Sequence, residues 1–116
     1  MPDKYVIKDV NICTFSFDQN GNIKPNLNDY PIIRTCVIDT EKNIAIDINH
    51  ELEYDYIETH SRLYFINGAS KKIIENKRAA IFSYYIMSLD KKVEDKAKSI
   101  IKRLEKGTKF PDGNDV

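Results

Sequence analysis

Ala69 to Lys106 reads ASKKIIENKRAAIFSYYIMSLDKKVEDKAKSIIKRLEK, an unbroken run without Gly or Pro that stops at Gly107. Its second half has a helical pattern, with Val93, Ala97, Ile100, Ile101 and Leu104 on one narrow apolar stripe. Gly107 stands where a helix C′ residue belongs, and Lys102, Arg103 and Lys106 occupy the last turn, where cations suit the helix end. Asp90 is a candidate N-cap. The first half is apolar on two sides: Ile74, Ile81 and Tyr85 line one, and Ala79, Phe82, Ile86 and Leu89 line the other. The second line continues through Val93, Ala97, Ile100 and Leu104 as a heptad-like seam with one stutter. Ala79 to Leu89 also suits a buried strand, since Ile, Phe and Tyr serve either. The Lys-rich flanks and the lack of bounding turn residues favour helix. The expectation is one long helix, or a pair joined near Ser88–Asp90, over about residues 70–106.

Upstream of that run the pattern is that of strands. Tyr5 to Phe17 is rich in Val, Ile, Thr, Phe and Tyr, but its phase switches: Val6, Val10 and Ile12 share one parity, Phe15 and Phe17 the other. A bulge near Asn11–Cys13 accounts for the switch. Asn20-Gly21 signals a hairpin, and Asn22 to Pro31, with two prolines and three asparagines, is mostly loop. Ile32 to Ile38 is a second strand. Ile44, Ile46 and Ile48 alternate with Ala45, Asp47 and Asn49, and Leu52, Tyr54 and Tyr56 alternate with Glu51, Glu53 and Asp55, so each stretch reads as a half-buried strand. Leu63 to Ile66 is a last strand, closed by Asn67-Gly68.

The expected fold is therefore α+β: an N-terminal antiparallel sheet of five or six strands in meander order (about residues 5–66), packed against the C-terminal helical region. Residues 1–110 form a single domain and residues 111–116 a disordered tail. The core is expected to hold Ile12, Phe15, Ile33, Val37, Ile46, Ile48, Leu63 and Phe65.

Length and composition set the class. A chain of 116 residues, 41% hydrophobic and 31% charged, suits one globular domain that needs no staples. Cys13 and Cys36 are the only cysteines, and with no secretory segment at the start they read as reduced thiols of a cytoplasmic protein. The longest apolar run is too short to span a bilayer, so no membrane is expected. The excess of Ile, Lys and Asn fits the codon bias of an AT-rich bacterial or phage genome.

The net charge is zero, but the charges are sorted. From Asp39 to Glu58 seven acids face the single Lys42, while from Lys71 to Lys109 twelve cations face five acids. Such asymmetry bears on association rather than on fold. The candidate binding residues are Lys91, Lys98, Lys102, Arg103 and Lys106. Lys98, Lys102 and Lys106 stack at four-residue steps, and Glu94 can pair with Lys98. The structural alternative is a solvated face, or an internal partner in the acidic stretch.

Motifs that would name a reaction fail on inspection. His50-Glu51-Leu52-Glu53-Tyr54 begins like a zinc-protease HExxH motif, but Tyr54 takes the second histidine position. Asp18 to Ile23 resembles a calcium loop, yet its Gly comes at the fourth position and no closing acid follows. Asn67 to Lys72 lacks the two bracketing glycines of a Walker loop. No metal and no cofactor is expected.

The expected function is thus that of a small non-catalytic binding or regulatory protein acting through a basic C-terminal helical face. A homodimer is expected along a seam of Phe82, Ile86, Leu89, Val93, Ala97, Ile100 and Leu104, and an acidic protein is a further candidate partner. The first alternative is a small enzyme with an acid–base site around His50, His60 and nearby carboxylates. The second is a nucleic-acid binder, which the scarcity of Arg and the absence of interleaved aromatics disfavour. A structure in which Val93, Ala97, Ile100 and Leu104 all pack on their own sheet removes the basis for that dimer.

Overall fold

The computed structural model describes residues 4–20, 23–26, 32–57, 78–85 and 89–115. In chain order they form β1 (Tyr5–Phe17), β2 (Ile23–Pro25), β3 (Ile32–Asp39), β4 (Ile44–Asp47), β5 (Glu53–Ile57), β6 (Arg78–Tyr85), helix α1 (Lys91–Glu105) and a 3-10 turn at Gly113–Asp115. β1, β3, β4 and β5 make an antiparallel meander. β6 then lies parallel to β5 and antiparallel to β1, which closes these five strands into a barrel. The short β2 pairs with the end of β1, Phe17 opposite Ile23. The α+β class stands, but the expected open antiparallel sheet is corrected to a closed barrel with one parallel pair.

That correction turns on residues 78–85, which the flanking lysines favour as helix. A helix places Ala79 and Ala80 side by side, whereas a strand sends them to opposite faces. Ala79 and Ile81 are buried against Cys13, Phe15 and Ile57, while Ala80 is buried among Val10, Ile12, Cys36 and Tyr56. Burial on two opposite faces with a period of two overrides the helix propensity of the two alanines. The strand expected at Leu63–Ile66 and the helix start near Ser70 lie outside the described residues.

The barrel interior draws on all five strands: Val10 and Ile12 from β1, Cys36 and Ile38 from β3, Ala45 from β4, Tyr54 and Tyr56 from β5, and Ala80 from β6. The isoleucines at and just after β4 are displaced outward. Ile44, Ile46 and Ile48 face α1, not the lumen, and Ala45 points inward in their place. A narrow barrel accepts small side chains at alternate inward positions, and the helix supplies the second core. In β1 the inward set ends at Ile12, and Cys13 and Phe15 turn to the outer face. The register against β6 slips between Asp9 and Asn11, at the edge of the expected bulge. Of the expected core, Ile12, Phe15, Val37, Ile46 and Ile48 are buried, but Ile33 is 62% exposed. Leu63 and Phe65 lie outside the described residues.

Helix α1 has the termini its sequence signals. The Asp90 side chain accepts from Lys92 N at 2.8 Å. At the other end Gly107 takes φ +81°, Gly107 N donates to Leu104 O and Thr108 N to Arg103 O, the two bonds of a Schellman cap. Its apolar stripe covers the barrel: Ala97, Ile100 and Leu104 are buried with Val37, Ile46, Ile48 and Phe110, and Val93 packs at the margin. The continuous dimer seam is thereby corrected. Phe82 belongs to β6, Ile86 lies outside the described residues, Leu89 precedes the helix, and the remaining four residues pack on their own sheet.

Residues 111–115, read as a disordered tail, return to the barrel. Glu53 N donates to Pro111 O at 2.8 Å, and Asp112 forms a bridge to Glu53. The Asn114 side chain accepts from Arg78 N at 3.0 Å, so the segment ties β5 to β6. Gly113 lies against the buried Tyr54 ring, where an added Cβ meets Cζ, Cε1 and the hydroxyl at 2.2–2.6 Å. Gly113→Ala is expected to lower unfolding stability by about 1–3 kcal/mol, the usual cost of overpacking. Urea denaturation at neutral pH checks this, and an unchanged midpoint contradicts the packing.

Candidate functional site

Two features carry most of the chemistry, and they adjoin. The first is the turn between β4 and β5, organised by Asp47. That residue is almost fully buried, at 1% exposure. Its Oδ1 accepts from Asn49 N at 3.0 Å and from His50 N at 3.2 Å, and its Oδ2 meets His50 Nδ1 at 2.9 Å and Arg34 Nε at 3.4 Å. Asp39 does the same in the preceding turn, accepting from Glu41 N and Lys42 N. Two of the seven acids of the sorted stretch are therefore turn-forming groups, not surface charge. The His50 ring is half-exposed; its Nδ1 is engaged and its Nε2 has no bond among the described residues.

The turn ends at Glu51, whose φ of +55° is unusual for a non-glycine residue. Glu51 N donates to Asp47 O at 2.7 Å, and the carboxylate forms an ion pair with Arg103 of α1. The Arg103 guanidinium also lies over the Phe110 ring at 5.1 Å. Arg103 is therefore a clamp between helix, turn and chain end. It leaves the set of candidate binding cations to which its sequence neighbourhood assigned it. An internal partner for the basic stretch exists in this Arg103–Glu51 pair.

The second feature is the outer face of α1. Lys91, Lys92, Lys96, Lys98, Lys102 and Lys106 are all exposed. Among them Lys98 pairs with Glu94 at 3.3 Å, as the four-residue spacing implies. The other five have no ion pair among the described residues. Glu94, Asp95 and Glu105 are the acids of the same helix. Ser99, Lys96 and Arg103 line the flank nearest the Asp47 turn, a grouping the linear search missed. Their spacing of three and four residues was its signal.

The remaining chemical groups are placed away from solvent. Cys13 and Cys36 are separate buried thiols. Burial, with the nearby Asp47 and Asp9 charges, pushes the Cys36 thiol far above its ordinary range, which keeps it protonated and unreactive. The Lys8 amine is buried and bonds Tyr56 OH at 3.3 Å. Burial, with Asp47, raises the Tyr54 hydroxyl. No group of three or more metal-ligating side chains occurs among the described residues, and none of their helices is long and apolar enough to cross a membrane. His60 lies outside the described residues, so only His50 of the proposed acid–base pair is placed.

Comparison of the chain with protein-family models, curated proteins and solved structures returned no match.

Asp47 and His50 are expected to separate cleanly on mutation. Asp47→Ala strands two backbone N–H groups and Arg34, a loss of about 2–4 kcal/mol. His50→Ala removes one bond of a half-exposed ring and should cost under about 1 kcal/mol. Comparable losses in denaturant titrations contradict the hub at Asp47.

The two glutamates of this region shift in opposite directions. Burial, then Asp55, raises the Glu53 carboxyl, so the folded state holds that proton more tightly and the group costs stability once pH exceeds its unfolded value. The hydrogen bond from Arg103 lowers Glu51, whose contribution is present above its unfolded value and lost as pH falls through the lower folded one. Glu51 is exposed and Glu53 only half-buried, so solvent screening limits each effect to under about 1 kcal/mol. Glu53→Gln should raise the melting temperature at pH 7 and not in acid, whereas Glu51→Gln should lower it at pH 7 and not in acid. Melting curves across that range check both signs.

Proposed function

We propose that this chain is a non-catalytic binding protein that docks an acidic protein surface on the outer face of α1. The observation that supports it is the set of exposed lysines without ion pairs among the described residues, of which Lys91, Lys102 and Lys106 run along the side opposite the buried stripe. They sit on a helix whose other face is fully used in covering the barrel, so their placement is fixed while their charges are free to be neutralised by a partner. Charge complementarity on such a face favours fast, salt-sensitive encounter.

A protein partner fits better than nucleic acid. Lysines supply point charges, not the bidentate forks that read bases and phosphates, and Arg103 is held by Glu51 and Phe110. The barrel side also presents Glu41 and Glu51 to solvent, which confines any polyanion to the helix.

One observation favours an acid–base site as the second reading: the buried Asp47 holds His50 by Nδ1 and leaves Nε2 of a half-exposed ring unbonded. The same bonds serve the turn.

Replacing Lys91, Lys102 and Lys106 together by Gln is expected to leave stability within about 0.5 kcal/mol. The same variant should weaken binding to polyglutamate and flatten its salt dependence. Titrations of both proteins at two salt concentrations test this. Binding of duplex DNA with no binding of polyglutamate overturns the protein-partner reading.

A further inference from the structure

The flank of α1 that faces the Asp47 turn carries Lys96, Ser99 and Arg103 at i, i+3 and i+7, one line along the helix. With Ile48, Asn49 and Glu51 they bound a groove of about 240 Å³. That is below the roughly 300–1,000 Å³ of pockets that take drug-sized ligands, and it suits the end of one side chain.

The lining is chemically lopsided. It holds two cations and one carboxylate, and the carboxylate is already engaged by Arg103, which keeps it ionised. Lys96 is exposed and has no ion pair, and Ser99 is exposed and its hydroxyl has no hydrogen bond, among the described residues. The Asn49 backbone N–H is spent on Asp47, while its side-chain amide is exposed without a partner among the described residues. Arg103 forms a fixed wall, set by Glu51 on its edge and Phe110 on its face. Its Nε is shut off from solvent without an acceptor among the described residues, and its Nη2 is spent on Glu51, so the donors with no partner in the groove are those of Lys96, Ser99 and Asn49. Three donors in one lining, a net positive charge and one apolar residue, Ile48, suit a carboxylate on a short methylene stem.

We infer that this groove seats one Glu or Asp side chain of the acidic partner, with Lys96 and Ser99 as its direct contacts and Asn49 as the third donor. The inference deepens the docking proposed for α1 and rests on it. The outer lysines then supply attraction, and the groove supplies register, because a single seated side chain fixes where along the helix the partner lies.

The test uses the full chain labelled with nitrogen-15. A blocked glutamate (N-acetyl-glutamic acid amide) is titrated in, and inorganic phosphate in a separate sample. Expected are amide shifts confined to the Asn49 turn and to Lys96–Arg103, saturating in the millimolar range. The Lys96→Gln, Ser99→Ala double variant should lose them; both positions are exposed, so its fold should be kept. The Lys91, Lys102, Lys106→Gln variant should retain them. Equal shifts along every lysine, or the same response to phosphate, overturn the carboxylate seat. A fluorescent polyglutamate peptide supplies the second arm, and the double variant should weaken it about tenfold, the worth of one charge-assisted hydrogen bond. If the peptide binds and the double variant matches wild type, the groove inference falls and the docking face stands. If the peptide does not bind but the blocked glutamate still shifts the groove, the docking proposal falls and the carboxylate seat stands.

Discussion

Closure of the barrel depends on β6 pairing along both edges at once, parallel to β5 and antiparallel to β1. An open five-stranded sheet would leave two unpaired edges and one apolar face too many. Closure removes the edges and splits the apolar residues into an interior and an outer surface. The interior is narrow, so Ala45, Ala80 and Cys36 sit where larger residues would not fit, and the isoleucines of β4 are turned out beneath α1. The helix is thus committed to covering them, and its orientation fixes which lysines face solvent.

The sorted charges then resolve into distinct physical roles. Asp39 and Asp47 are buried and satisfy backbone N–H groups that would otherwise be stranded in tight turns. Glu51 accepts a backbone conformation that Gly or Asn would adopt more readily, and its carboxylate secures Arg103. Among the described residues the row of lysines on α1 stays at the surface, as do Glu41, Glu94, Asp95 and Glu105. A net count along the chain mixes these roles, because it weighs a buried turn-forming Asp equally with a solvated one.

Much of the fold was legible because its signals are local. The alternation of Tyr54 and Tyr56 with Glu53 and Asp55, the Asp90 cap, the Gly107 stop and the apolar stripe of α1 each depend on residues a few positions apart. Local pattern misleads where the deciding contact is distant. Residues 78–85 carry a sequence that suits helix or strand, and only their double burial between β5 and β1 settles it. Pro111 to Asp115 are polar and short, and nothing nearby announces that Glu53 N and Arg78 N await their acceptors. Ile33 was placed inside by its type, but its strand parity points it away from the interior. For the site, the linear grouping of Arg103 with the lysines failed because the helix turns that residue toward Glu51, and the groove beside it needs a turn from β4–β5 that no helix pattern contains.

Barrel closure also has a temporal side. β1 is a 13-residue strand, and its antiparallel partner β6 is made only after more than half of the chain has followed it. During synthesis β1 emerges early and can pair with β3, while its other edge waits for residues 78–85. Such non-local pairing raises contact order and slows folding, since a long loop must close before the contact is gained. The waiting edge is rich in Val, Ile and Phe, so the nascent chain passes through an interval in which its stickiest backbone is exposed. Until β6 arrives, that edge is open to pairing with a neighbouring chain.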